Sequence, residues 1–108
     1  MGDQQEAGAG QVVVNLPPEI DIANAGQVSD QLTARLGPGV RVVIADLSRT
    51  RFCDSWGIRY LLLAARTAAA NGAELRLAAP REAVWQVVEL MGLDHMVRAY
   101  PTVEAALS

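Results

Sequence analysis

An α/β fold with a mixed, mainly parallel sheet of four to five strands and about four helices is what this sequence predicts. Three observations carry that expectation. Strand-like apolar runs alternate with amphipathic, helix-like runs along most of the chain. One of them, "VRVVIADL" at residues 40–47, is apolar without alternation, which suits a strand covered on both faces. Turn signals, among them Gly37-Pro38, Asn71-Gly72 and Gly92, separate the runs. A length of 108 residues fits one domain around one core.

Residues 1–10, "MGDQQEAGAG", are polar and rich in Gly and Ala, and read as a flexible tail ahead of a domain spanning 11–108. "QVVVNL" then reads as a short strand, and "PPEIDIAN" as a turn-bearing loop. Asn24, with Gln27 three residues on, resembles an N-cap with its capping-box partner. Ala25, Val28, Leu32 and Leu36 follow at helical spacing, and Gly37-Pro38 stops the helix. After the strand at 40–47 comes a second helix, with Ile58, Leu61, Leu62, Ala65 and Ala69 as its expected core face. "AELRLAA" at 73–79 is the next strand. Pro80 opens a third helix with Val84, Val87, Val88 and Met91 on one face and Trp85 at its edge as partial core. Gly92 closes that helix, "HMVRAY" reads as a last short strand, and Pro101-Thr102 starts a short final helix.

The bulk properties narrow the function classes. No run of about 18 apolar residues offers a membrane span. The start lacks a basic stretch followed by an apolar one, so no secretory signal is expected. A lone cysteine, Cys53, excludes an internal disulfide, and with the lone His95 it makes no zinc site. Cys53 reads as a small buried residue, not a reactive thiol. A cytoplasmic protein without a cofactor is expected. Net charge is −3, and the nine basic residues, all Arg, are scattered, which argues against direct nucleic-acid binding.

Ligands and chemistry in such sheets gather at the carboxyl ends of strands, and "FCDSWG" at residues 52–57 lies just past one. Asp54 or Ser55 suits an N-cap of the second helix. Gly57 suits close packing against the sheet or an unusual backbone angle. A nucleophilic Ser55 would need a base, and His95 is the only histidine. The Gly-x-Ser-x-Gly elbow is absent too, because Cys53 stands two residues before Ser55. Ser55 also suits a regulated phosphate acceptor. A helix N-terminus offers unpaired N–H groups, and a phosphate adds about −1.5 to −2 charges in one step. Asp54, and Asp21 if the first loop folds over, would make that charge locally repulsive.

Four segments together resemble the STAS domain, and within it the bacterial anti-anti-sigma factors (anti-sigma factor antagonists). "PPEIDIANA" at 17–25 is similar to the family's Gly-Glu-Leu-Asp segment. "VVIADLSRTRFCDSWGI" at 42–58 is similar to its Asp-Leu-Ser…Phe-x-Asp-Ser-Ser-Gly-Leu motif. "NGAELRLAAPREAVWQVVELMGLDHMV" at 71–97 is similar to the segment with Pro-x-x-Val…Leu-x-x-x-Gly-Leu, and "YPTVEAAL" at 100–107 to the closing helix.

The resemblance implies a non-enzymatic partner switch. The unphosphorylated antagonist binds an anti-sigma factor with serine kinase activity and so releases a sigma factor. Phosphorylation by that kinase dissociates the antagonist, and a phosphatase restores it. The residue after the motif's Asp is the acceptor, here Ser55. Asp21 matches the acid of the first loop, which lies close to the acceptor. Asp54 and Gly57 match the motif's Asp and Gly. Trp56 departs from a second small hydroxyl residue, Pro18 from a Gly, and Asn24 from a common Thr. The alternative within the family is a module that is not phosphorylated, acting as a stressosome-like scaffold or as the cytosolic accessory subunit of a membrane transporter. A monomer is expected, with a homodimer as the alternative.

The second helix carries one further pattern. Trp56, Tyr60, Leu63 and Thr67 are spaced i, i+4, i+7 and i+11, a second stripe turned away from the expected core face. Loops or a second layer could bury it. As a docking surface it would begin at the acceptor, with Trp56, Tyr60 and Leu63 exposed in the monomer and buried by a partner.

Overall fold

Among the described residues, the four strands and four helices of the sequence pattern are joined by three further strands. The computed structural model describes residues 4–107. In chain order these form β1 (Gln4–Gly8), β2 (Gln11–Asn15), β3 (Glu19–Ile20), α1 (Ala25–Thr33), β4 (Val42–Asp46), β5 (Phe52–Cys53) and α2 (Ser55–Ala70). Then follow β6 (Glu74–Ala78), α3 (Glu82–Leu90), a 3₁₀ turn (Leu93–His95), β7 (Arg98–Tyr100) and α4 (Val103–Ala106).

The main sheet has the order β1-β2-β4-β6-β7. β2, β4, β6 and β7 run parallel, and β1 is antiparallel to β2. The apolar run does become the centre: Val42, Val43, Ile44 and Ala45 of β4 are all buried, because helices cover both faces. Val43 and Ala45 face the larger core with Val12, Val14, Leu75 and Leu77, under α1, α2 and α3. Val42 and Ile44 face a smaller one with Val13, Ala78 and Ala106 of α4. The helices are therefore unequally shared between the faces, three against one.

Several expectations need correction. The flexible tail expected over residues 1–10 contains β1, which pairs through its backbone with Val12–Val14 of β2. "QQEAG" shows no apolar alternation, so only the backbone pairing at the sheet edge makes it a strand. Residues 1–3 lie outside the described residues. The core face of α2 is Gly57, Ile58, Leu61, Ala64 and Ala68. Leu62 and Ala65 are half-buried and Ala69 is exposed, so the helix is rotated from the expected phase. On α3 only Val84 and Val88 are fully buried. Met91 is exposed, because it follows the last helical residue, and Val87 is half-buried. Pro80 lies outside α3, whose N-cap is Arg81, and Ala79 before it takes a positive φ of 54°.

Other sequence signals are realised. Gly92 has the left-handed φ of 77° that closes α3. Thr102 caps α4, its hydroxyl accepting the Ala105 N–H at 3.0 Å. Trp85 is half-buried against the larger core. No helix among the described residues is long and apolar enough to cross a membrane.

Candidate functional site

A second, two-stranded sheet builds the site. β3 and β5 pair in parallel, Glu19 opposite Phe52 and Ile20 opposite Cys53. The pairing is laced on one side by the Arg51 N–H donating to the Pro18 carbonyl at 2.7 Å. On the other the Asp54 N–H donates to the Ile20 carbonyl at 3.1 Å. The buried Thr50 hydroxyl donates to the Pro17 carbonyl at 2.8 Å. Because the two strands run the same way, Asp21 leaves β3 where Asp54 and Ser55 leave β5. The bond from the Asp54 N–H to the Ile20 carbonyl thus sets the start of the first loop beside the start of α2, and with it the two segments that hold the predicted site residues.

Asp54 is the N-cap. Its backbone is extended (φ −91°, ψ −175°) and its carboxylate accepts the Gly57 N–H at 3.0 Å. Ser55, the first helical residue, is exposed, and among the described residues its hydroxyl joins no hydrogen bond. Two of the roles considered for this pair are therefore divided: Asp54 holds the helix, and the Ser55 hydroxyl stands available at its positive end.

Gly57 is a contact point, not a flexible one. A Cβ there would lie 2.5 Å from Cys53 Sγ and 2.8 Å from Ile20 Cγ2. So α2 sits directly on the β3–β5 pair, which only a residue without a side chain permits. Cys53 is buried beneath it. Burial, and then the neighbouring Asp54 charge, push its thiol up from near 9 to about 12. A thiol so protonated is not a nucleophile at neutral pH.

Asp21 and Asn24 shape the overlying loop. Asp21 Oδ1 accepts the Ala23 N–H at 2.9 Å, and the Asp21 carbonyl accepts the Ala25 N–H at 2.8 Å. The expected capping box is not formed. Asn24 Oδ1 accepts the Asp21 N–H at 2.9 Å, and Nδ2 donates to the Glu19 carbonyl at 2.8 Å, so the side chain ties the loop back on itself. Asn satisfies both a donor and an acceptor here, which the Thr common at this point cannot do in the same way. Pro17, Pro18, Glu19, Asp21, Asn24 and Arg51 line an open depression beside the loop, with Arg51 and Glu19 paired across it at 3.7 Å.

The second stripe of α2 divides. Trp56 is 42% exposed and Leu63 51% exposed, as the docking reading requires. Tyr60 departs from it: the side chain is half-buried, packed against the core beside Gly26 of α1, where a Cβ would lie 3.8 Å from its ring. α1 packs alongside α2 and reaches over to that side. Two exposed apolar residues that flank the predicted site residues in sequence escape the sequence reading. Ile22, which follows Asp21, is 64% exposed, and Phe52, two residues before Asp54, is 51% exposed. Strand alternation in "FC" could have flagged Phe52, since Cys53 was expected inside. Ile22, alone in a polar loop, carries no such signal.

Comparison with known proteins agrees with this geometry. A Bordetella bronchiseptica relative named as an anti-sigma factor antagonist, BtrV, is 32% identical over 83 residues, which are 77% of this chain and 72% of that protein. The unphosphorylated form of SpoIIAA, a Bacillus anti-sigma factor antagonist also solved in its phosphorylated form, superposes with a TM-score of 0.78 at 24% identity. That match covers 96% of this chain and 90% of SpoIIAA. Part of the murine anion transporter Slc26a9 has the same fold, with a TM-score of 0.79 at 20% identity, covering 94% of this chain and 18% of the transporter. Residues 4–106 match the STAS domain, and the chain belongs to that family.

Proposed function

We propose that this protein is an anti-sigma factor antagonist switched by phosphorylation of Ser55. In the unphosphorylated state it binds an anti-sigma factor and releases a sigma factor. The observation that carries the reading is the exposed, unengaged Ser55 hydroxyl at the start of α2, with Asp54 already serving as the cap. Kinship with proteins named as anti-sigma factor antagonists supports it. The partner supplies the chemistry: Ser55 Oγ attacks the γ-phosphate of ATP, ADP leaves, and the hydroxyl proton passes to the kinase. Phosphate then adds about −1.5 to −2 charges beside Asp54 and Asp21, which repels a partner that tolerated a neutral hydroxyl. Partner contacts are assigned to Asp21, Asp54, Ser55, Trp56 and Leu63; Gly57, expected among them, is buried against Cys53 and Ile20 and, like Tyr60, supports that surface from behind. A phosphatase resets the switch.

The test is incubation of the purified chain with candidate anti-sigma factor kinases and ATP, followed by intact-mass measurement and a binding assay. One added phosphate, lost in Ser55→Ala, with release of the complex, is the expected result. A complex that forms without any phosphate transfer would instead favour a scaffold or a transporter-linked module, a use compatible with the fold shared with Slc26a9.

A further inference from the structure

The outer side of α2, which supplies Trp56 and Leu63 to the proposed partner surface, carries a charge pattern that the switch chemistry does not use. Trp56, Arg59, Tyr60, Leu62, Leu63 and Arg66 line a shallow, open groove of about 300 Å³. Its floor is apolar and its rim is cationic. Arg59, Leu63 and Arg66 follow one another at i, i+4 and i+7, so the two cations bracket Leu63 on one stripe. The Arg59 guanidinium lies over the Trp56 ring, 5.4 Å from its centroid, which holds the charge at the groove. Among the described residues neither Arg59 nor Arg66 has an ion-pair partner. α2 contains no acid at all, although the chain as a whole carries −3. An apolar floor inside a rim of one sign of charge selects a partner of the opposite sign.

We propose that this groove receives an acidic amphipathic segment of the partner protein. Apolar residues at helical spacing pack on Trp56, Leu62 and Leu63, and carboxylates meet Arg59 and Arg66. Two arginines on an otherwise acidic chain are too few to hold a nucleic-acid backbone. The same groove is coupled to the acceptor. Ser55 and Arg59 stand four residues apart on one helix face, and a phosphate on Ser55 offers Arg59 a stronger acceptor than a carboxylate does. Phosphorylation then withdraws one cation from the groove as well as adding repulsion. This rests on the switch reading for its regulation, but not for its binding chemistry.

The test uses the full chain and two designed amphipathic peptides of the same apolar face, one with Glu on its polar face and one with Lys. Binding is followed by amide and indole NMR shifts and by titration at two salt concentrations. The acidic peptide should shift Trp56, Arg59, Leu62, Leu63 and Arg66, and bind more weakly at high salt. Arg59→Glu/Arg66→Glu should lower its affinity about tenfold or more and reverse the preference toward the Lys peptide. Equal binding of both peptides, absence of shifts on α2, or an unchanged affinity in the double variant overturns the proposal. So does Arg-dependent binding of a single-stranded oligonucleotide in place of the peptide. The two readings fail separately. Phosphate on Ser55 with an Arg-insensitive partner complex sinks the groove alone. Arg-dependent binding of the acidic peptide with no phosphate transfer sinks the switch alone.

Discussion

The Asp54 carboxylate accepts the Gly57 N–H at 3.0 Å, and this one bond leaves the neighbouring Ser55 out of the helix cap. Stability and switching should therefore separate between two adjacent residues. Asp54→Ala should cost about 1 kcal/mol, the usual loss for a cap. Ser55→Ala, at an exposed site with no bond to lose, should stay within about 0.5 kcal/mol. Urea denaturation of both variants checks this. Equal losses would mean that Ser55 shares the cap and is not reserved for the switch.

Gly57→Ala should be worse than either. The added Cβ meets Cys53 Sγ at 2.5 Å and Ile20 Cγ2 at 2.8 Å, both in packed surroundings. Overpacking of this kind costs about 1–3 kcal/mol. If the clash with Cys53 is the cause, adding Cys53→Ala should recover part of the loss, with a coupling of about 0.5 kcal/mol or more. Purely additive losses would place the strain elsewhere.

How much of this was readable beforehand depends on the length of each pattern. α1 and β6 announce themselves because several residues repeat a period, and β4 because its apolar run is unbroken. The β3–β5 pair does not, since two residues have no period, and its partners are more than 30 positions apart. Yet that pair sets the segment of Asp21 beside the segment of Asp54 and Ser55, an adjacency whose cause the sequence does not display. The phase of α2 was open for a different reason. Leu61, Leu62 and Leu63 are consecutive, and Ala64/Ala68 and Ala65/Ala69 are chemically alike, so residue type cannot choose between the two faces. Packing chose, through Gly57 on β3–β5. Tyr60 was misplaced because the side cover by α1 is a tertiary fact absent from the helix's own sequence.

Cys53 supplies a pH dependence. The folded thiol keeps its proton to about 12, whereas an exposed one releases it near 9. Between those values the unfolded chain binds fewer protons than the folded one, so unfolding free energy falls as pH rises. The contribution is intact below about 9 and lost as pH approaches about 12. The slope is on the order of 1 kcal/mol per pH unit. Comparison with Cys53→Ala isolates it: the stability gap between the two proteins should shrink with rising pH over that range. A gap that stays constant would show that burial does not hold the thiol's proton beyond its ordinary range. At neutral pH, thiol reagents should react only as fast as the site opens.

Asp21→Asn tests the loop above the acceptor. The bond from the Ala23 N–H survives in an amide, because Asn keeps one oxygen acceptor. The loss of stability should then be within about 0.5 kcal/mol. What changes is the charge of the loop that follows β3. The rate of phosphate transfer by the cognate kinase, read by mass over time, should fall if that charge orients the acceptor or its kinase contacts. A rate equal to wild type would remove Asp21 from the switch. Asn24→Ala is the structural counterpart, for it deletes both side-chain bonds by which Asn24 ties the loop back on itself. It should lower stability and transfer rate together.

Trp56 and Tyr60 share a stripe but belong to different parts of the protein, and their alanine variants should diverge. Trp56 is exposed and touches Arg59, which is itself at the surface. Its removal should leave the melting curve within about 0.5 kcal/mol of wild type. It should weaken the partner complex by about 2 kcal/mol or more, as expected of a central aromatic anchor. Tyr60 instead fills the seam between α1 and α2, against Gly26 and the core. Tyr60→Ala opens that seam, so it should cost roughly 2–4 kcal/mol of folding stability, near the lower end for large-to-small changes because the site is only half-buried. Its effect on binding should follow from disorder of the helix. Melting and affinity measured on both variants decide the matter. A large stability loss in Trp56→Ala would make that residue core, and an unchanged affinity would take the stripe out of the docking surface. Tyr60→Phe should stay close to wild type in stability, because the seam needs the ring more than the hydroxyl.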